Sequence, residues 1–141
     1  MAKEFSFLDL NKEMSKISEY GDTLDKSTIS EIDHYIPTGN YHLNACLTGS
    51  LFGGYPNNRA VALAGPSGTG KTYLILNAIK QAQKQGYSII FYDSENAVDK
   101  KLVEKFGIDP KTFRYEPCNT VQEFRSSVTA ITDVLIEQKK K

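Results

Sequence analysis

Apolar side chains near the head of the chain recur at steps of three and four: Phe7, Leu10, Met14 and Ile17, with Lys12, Glu13, Lys16 and Glu19 between them. Over residues 5–20 this spacing predicts an amphipathic helix, closed by Gly21. The polar, weakly periodic stretch from Asp22 to Glu31 reads as a linker, which leaves the helix free to pack on its own domain or on a neighbouring subunit. Residues 35–58 are rich in Gly, Pro and Asn, with a short helical patch from Leu43 to Leu47. At Arg59 the texture changes. Residues 60–64 are uninterruptedly apolar and stop at Gly65, the pattern of a strand buried on both faces.

A glycine-rich loop follows, then a predicted helix from Lys71 to Gln85 whose Leu74, Ile75, Ala78, Ile79 and Ala82 share one face and which Gly86 stops. Tyr87 to Asp93 reads as a second buried strand, 99–106 as a short helix stopped by Gly107, and Phe113 to Glu116 as a third strand before Pro117. Thr120 and Glu123 form a capping box ahead of Val121, Phe124, Val128, Ile131 and Leu135, one face of a last helix running to Glu137. Strands alternating with helices indicate an α/β fold with a mostly parallel sheet and flanking helices. The chain thus divides into a helix and polar linker over 1–34, a candidate oligomerisation element, and a core over 35–141.

Composition narrows the class without naming a function. The 141 residues, 40% of them hydrophobic, are long enough to bury a core without disulfides or metal. No run of 18 apolar residues exists and the N-terminus lacks the layout of a secretory signal, so neither a membrane partner nor secretion is expected. Cys46 and Cys118 stand alone, outside any metal-binding spacing, which fits a thiol-reducing, cytoplasmic location. Net charge is zero, yet residues 1–35 hold four Lys against eight Asp and Glu, with the opposite excess beyond them. Neither half carries a basic stripe that would by itself announce nucleic acid.

The chemistry concentrates at Gly65-Pro66-Ser67-Gly68-Thr69-Gly70-Lys71-Thr72, which satisfies G-x-x-x-x-G-K-[ST] at every fixed position and lies between an apolar run and an amphipathic helix. Glycines at 65, 68 and 70 let the backbone curl with its N–H groups inward, and the next helix offers its positive end to the same anion. Together with Tyr73 these residues are the predicted nucleotide-binding set. Lys71 is placed to reach the β- and γ-phosphates of ATP, and the Thr72 hydroxyl to bind the bridging Mg2+. At the carboxyl end of the next strand, Glu95 is the candidate group to orient and polarise an attacking water, with Asp93 as its competitor.

The loop, followed about 20 residues later by Phe91-Tyr-Asp-Ser-Glu-Asn-Ala-Val-Asp99, resembles the RecA family of recombinases. Tyr35 to Pro56 and Phe106-Gly-Ile-Asp-Pro110 look most like the UvsX-type strand-exchange branch of tailed phages, and the likeness covers roughly residues 30–138. The resemblance implies a RecA-like P-loop NTPase fold, a catalytic base at Glu95, an adenine contact at Asp99, single-stranded DNA as partner and filaments with ATP between subunits. It also implies the host cytoplasm if the chain is phage-encoded. Where bacterial relatives place a tyrosine on the adenine, this chain has Leu102. The family continues into a magnesium-binding strand ending in aspartate (Walker B) and two DNA-holding loops, which have no match before Lys141. The expectation is therefore the N-terminal part of a recombinase, encoded separately or cut short. Its sheet would be incomplete, and it would be marginally stable or completed by a second, C-terminal chain.

Two rival functions use the same loop. A small nucleotide kinase would need an Arg-rich lid, for which Arg59, Arg114 and Arg125 offer little. A non-catalytic, nucleotide-binding regulatory fragment could cap a filament through the 5–20 helix. His34 and His42 read as surface or hydrogen-bonded histidines, and Tyr35, Tyr41 and Tyr55 as loop anchors. Lys100, Lys101, Lys105 and Lys139 to Lys141 read as solvated helix faces, whose alternative role on a phosphate backbone would show as salt-dependent binding.

Overall fold

The computed structural model describes residues 6–18, 21–26 and 31–139. The ends of the predicted 5–20 helix, part of the linker, and Lys140 and Lys141 lie outside them. Helix α1 runs Phe7–Ile17 behind a complete capping box in which Ser6 and Asp9 each satisfy the other's backbone N–H. None of its residues is buried, and Phe7, Leu10, Met14 and Ile17 all face solvent.

Strands β1 (Tyr35–Ile36) and β2 (Tyr55–Pro56) pair antiparallel and flank helix α2 (Tyr41–Thr48). Asn40 caps α2 by accepting from the Leu43 N–H, and Gly49 ends it in the left-handed conformation, φ 73°. One buried amide ties the loops of this part together. Asn44, 3% exposed, accepts from the Thr38 N–H at 2.9 Å and hydroxyl at 2.8 Å and donates to the Leu51 carbonyl at 2.9 Å. The unit is tied to its neighbour by Gln85, which donates to the Tyr35 carbonyl, and by a short contact between His34 and the Tyr87 hydroxyl.

Helix α3 (Lys71–Lys84), strand β3 (Ile89–Asp93), helix α4 (Lys100–Lys105), strand β4 (Phe113–Pro117) and helix α5 (Val121–Lys139) follow in α/β order. β3 and β4 are parallel, with Ile89 opposite Phe113 and Asp93 opposite Pro117. Between them the chain turns at Gly107, φ 72°, and a single 3-10 turn at Pro110–Thr112. Gln83 of α3 clamps this turn, accepting from the Asp109 N–H and donating to the Asp109 carbonyl and the Thr112 hydroxyl. The core gathers Leu76 and Ile79 of α3 with Val98, Val103 and Ile108, and Ile89, Phe91, Leu102, Phe106 and Phe113 pack against it. α5 begins with the Thr120–Glu123 capping box and docks by Phe124 edge-on to Tyr92 and by Ser127 on the Tyr92 hydroxyl.

Two expectations from the pattern are corrected. Residues 60–64 form no strand, and Val61 is 44% exposed. A strand needs a ladder, and among the described residues neither two-stranded sheet extends to this segment. Consequently the segment lies over a 260 Å3 cavity lined by Val61, Leu63, Ile75 and Tyr55, whose buried hydroxyl has no partner among the described residues. The inward face of α3 also differs. Leu76, Ile79 and Ala82 are the buried positions, whereas Ile75 is 37% exposed. Val98, Val103 and Ile108 cover the Leu76 side.

Candidate functional site

The loop from Gly65 to Gly70 delivers the chain into the N-terminus of α3. Gly68 and Gly70 adopt φ of 77° and 87°, a backbone that side chains with a Cβ rarely tolerate. Gly70 occupies the N-cap position without a side chain to accept from the first N–H groups, so those donors stay open to an incoming acceptor. The Thr69 hydroxyl donates to the Pro66 carbonyl at 2.9 Å and fixes the curl of the loop. Lys71 folds back over it, donating through Nζ to the carbonyls of Gly65 at 2.9 Å and Pro66 at 2.8 Å.

Across from this loop stands the carboxyl end of β3, and the two enclose a cavity of about 740 Å3. Gly65, Ser67, Gly68, Gly70, Lys71 and Thr72 line one side, and Asp93, Ser94 and Glu95 the other. An ammonium group and open helix-start N–H groups thus face a carboxylate across one crevice, a charge arrangement suited to a phosphate-bearing anion and a polarised water. Among the described residues no three His, Cys, Asp or Glu side chains gather to hold a metal. Thr72 does line the cavity, and a magnesium ion that takes its other ligands from phosphate and water fits such a sparse donor set.

Other predicted residues fall elsewhere. Pro66 and Thr69 shape the loop from behind rather than lining the cavity, and Tyr73 turns its ring edge-on to Phe106 at 5.2 Å. Asp99 caps α4, accepting from the Leu102 N–H at 2.7 Å. With Val103, Phe113 and Tyr115 it lines a separate 360 Å3 apolar cavity that meets the first at Val98.

Asp93 behaves unlike a rival base. It is 6% exposed and both carboxylate oxygens are engaged: Oδ1 accepts from the Glu95 N–H at 3.0 Å, Oδ2 from the Val98 N–H at 3.1 Å and the Tyr115 hydroxyl at 3.2 Å. Burial pushes its pKa up, but these donors and the Asn96 N–H outweigh burial and hold it below the usual carboxylate range. Burial beside Asp93 and its charge raise the Tyr115 hydroxyl in turn. Sequence reasoning weighed Asp93 as a water-activating acid and missed Tyr115. A turn signal was present in Asp93-Ser-Glu-Asn96, where Asn96 takes φ 54°, but nothing local points to a tyrosine 22 residues on.

Residues 6–135 match the RecA N-terminal domain. Protein RecA of Acholeplasma laidlawii is 36% identical over 110 residues, which are 77% of this chain and 31% of that protein. For the Mesoplasma florum protein the figures are 36% over 98 residues, 70% of this chain and 26% of the relative. Protein RecA of Bacteroides thetaiotaomicron reaches 43% over 74 residues, 52% and 22%. The chain therefore spans less than a third of the length of these relatives. With the domain match running over nearly all the described residues, the chain belongs to the RecA family, as an α/β domain with a small parallel sheet and flanking helices.

Proposed function

We propose that the chain is the ATP-binding part of a RecA-type recombinase, of P-loop NTPase type, acting in homologous recombination and DNA repair. The observation that carries this reading is the shared cavity of the 65–72 loop and Glu95. ATP enters with its phosphates against the loop N–H groups and the start of α3. Lys71 leaves the Gly65 and Pro66 carbonyls and donates instead to the β- and γ-phosphates. Thr72 would hold Mg2+, which when bound would neutralise charge on the phosphate oxygens. Glu95 orients the water and accepts its proton as the terminal phosphoryl group departs.

The finer parts of the proposal follow from the family. Single-stranded DNA is the partner that stimulates turnover, and a filament of like subunits, or a complementing C-terminal chain, is the assembly. The UvsX-like, phage-type assignment within the family and a cytoplasmic site of action rest on the sequence resemblance; among the described residues no helix is long and apolar enough to cross a membrane.

Phosphate release from Mg–ATP, measured with and without single-stranded DNA, tests the reading. Stimulation by DNA that is lost in Glu95→Gln, with nucleotide still bound, supports it. Nucleotide binding without turnover, coupled with inhibition of a full-length recombinase, would favour a regulatory role and overturn the catalytic one.

A further inference from the structure

The Glu95 side chain is exposed, so its place over the cavity is set by its backbone. That backbone is wound around Asp93. The last residue of β3 sends its carboxylate forward into the following turn, where one oxygen accepts from Glu95 and the other from Val98, and its own carbonyl accepts from the Cys118 N–H at 3.1 Å. Tyr115 closes the arrangement from β4. Its ring stacks on Phe91, its partner across the ladder, and its hydroxyl meets Asp93 Oδ2 and reaches Asn96 Oδ1 at 3.4 Å. A buried carboxylate with an N–H donor on each oxygen and an O–H donor on one is fixed in orientation, and whatever it holds is fixed with it.

We propose that Asp93 is the positioning residue for Glu95, aiming that carboxylate into the loop cavity, and that the Tyr115 hydroxyl holds Asp93 in place. The inference rests on the reading of Glu95 as the water-orienting group. Asp93 touches no substrate in this scheme: it acts through the Glu95 and Val98 N–H groups, and the parallel register of β3 and β4 sets where its own clamp stands.

The test uses the full chain with Mg–ATP and two variants. Tyr115→Phe keeps the stacked ring and removes the donor, and Asp93→Asn keeps the volume and turns one acceptor into a donor facing an N–H. Amide hydrogen exchange at Glu95 and Val98 is expected to quicken by about tenfold in both, with Ile90 and Tyr92 in the ladder unchanged. For phosphate release, kcat falls by about tenfold while KM stays within about twofold, and in a Glu95→Gln background Asp93→Asn adds no further loss. Unchanged exchange at both amides, or a raised KM with kcat intact, overturns the proposal. If Asp93→Asn does not fold, Tyr115→Phe alone decides. A wild-type chain that binds Mg–ATP yet releases no phosphate contradicts the role given to Glu95, and the exchange rates still decide whether Asp93 holds the turn.

Discussion

Leu76 and Ile75 are neighbours on α3 with opposite fates, and truncating each in turn measures which side of the helix carries the core. Leu76 is 1% exposed and sits among Ile79, Val98, Val103 and Ile108. Leu76→Ala removes three carbon atoms, about 2.4 kcal/mol of transfer free energy at roughly 0.8 kcal/mol each. It also leaves a cavity that tightly packed neighbours cannot close, bringing the expected loss to about 3.5 kcal/mol. Ile75 is 37% exposed and already borders the 260 Å3 void under residues 60–64, so Ile75→Ala forfeits part of a transfer term and little packing, about 1 kcal/mol. Urea unfolding followed by far-ultraviolet circular dichroism separates the two. With a slope near 2 kcal/mol per molar, the midpoints should lie about 1 M apart, Leu76→Ala the lower. Equal midpoints, or a lower one for Ile75→Ala, would refute the assignment of the buried face and with it the packing of Val98, Val103 and Ile108 on Leu76.

Three further outcomes follow from the same contacts. Asp93 has a folded-state pKa below its unfolded value, so its contribution to stability is present above about pH 4 and is lost as pH falls through the folded pKa; an acid titration of unfolding free energy should show this loss below about pH 4, and Asp93→Asn should flatten it. Asn44→Ala strips the buried Thr38 N–H of its acceptor and should lower stability by about 2–3 kcal/mol in thermal unfolding, a loss under about 0.5 kcal/mol being incompatible with the network. In Gly54→Ala the added Cβ would lie 2.2 Å from the Ile36 carbonyl oxygen at φ 150°; loss of the β1–β2 pairing is expected, and unchanged amide protection at Ile36 and Tyr55 would argue against that packing.

How much of this was legible beforehand depends on how local each cause is. Capping at Thr120 and the breaks after α3 and α4 are written within a few residues of where they act. β3 follows from its apolar run and β4 from its place before Pro117, though β3 is not buried as expected, Ile90 being 43% exposed, and the 65–72 loop follows from its spacing. The strand expected over 60–64 failed because an apolar run states only a preference for burial, while a strand also needs a neighbour, and the pattern does not say which. The face of α3 was read only in part, Ile79 and Ala82 being buried as expected but Leu76 in place of Ile75, because the apolar positions from Leu74 to Ile79 spread over too wide an arc for periodicity to single out one stripe. The clamp on the turn that carries Glu95 was hidden for another reason. A buried aspartate looks like any polar strand end until the register of a parallel partner brings Tyr115 to its oxygen.

The central claim is that the loop and the start of α3 form a triphosphate site with Lys71 as its cation. Equilibrium titration of Mg–ATP into the full chain by calorimetry, beside the same titration of Lys71→Ala, tests it most directly. Charge-assisted hydrogen bonds to phosphate contribute about 1.5–3 kcal/mol, so the variant should bind roughly 10- to 100-fold more weakly, with the fold intact by circular dichroism. Equal affinity in the two proteins, or no binding to the wild-type chain, would contradict the account.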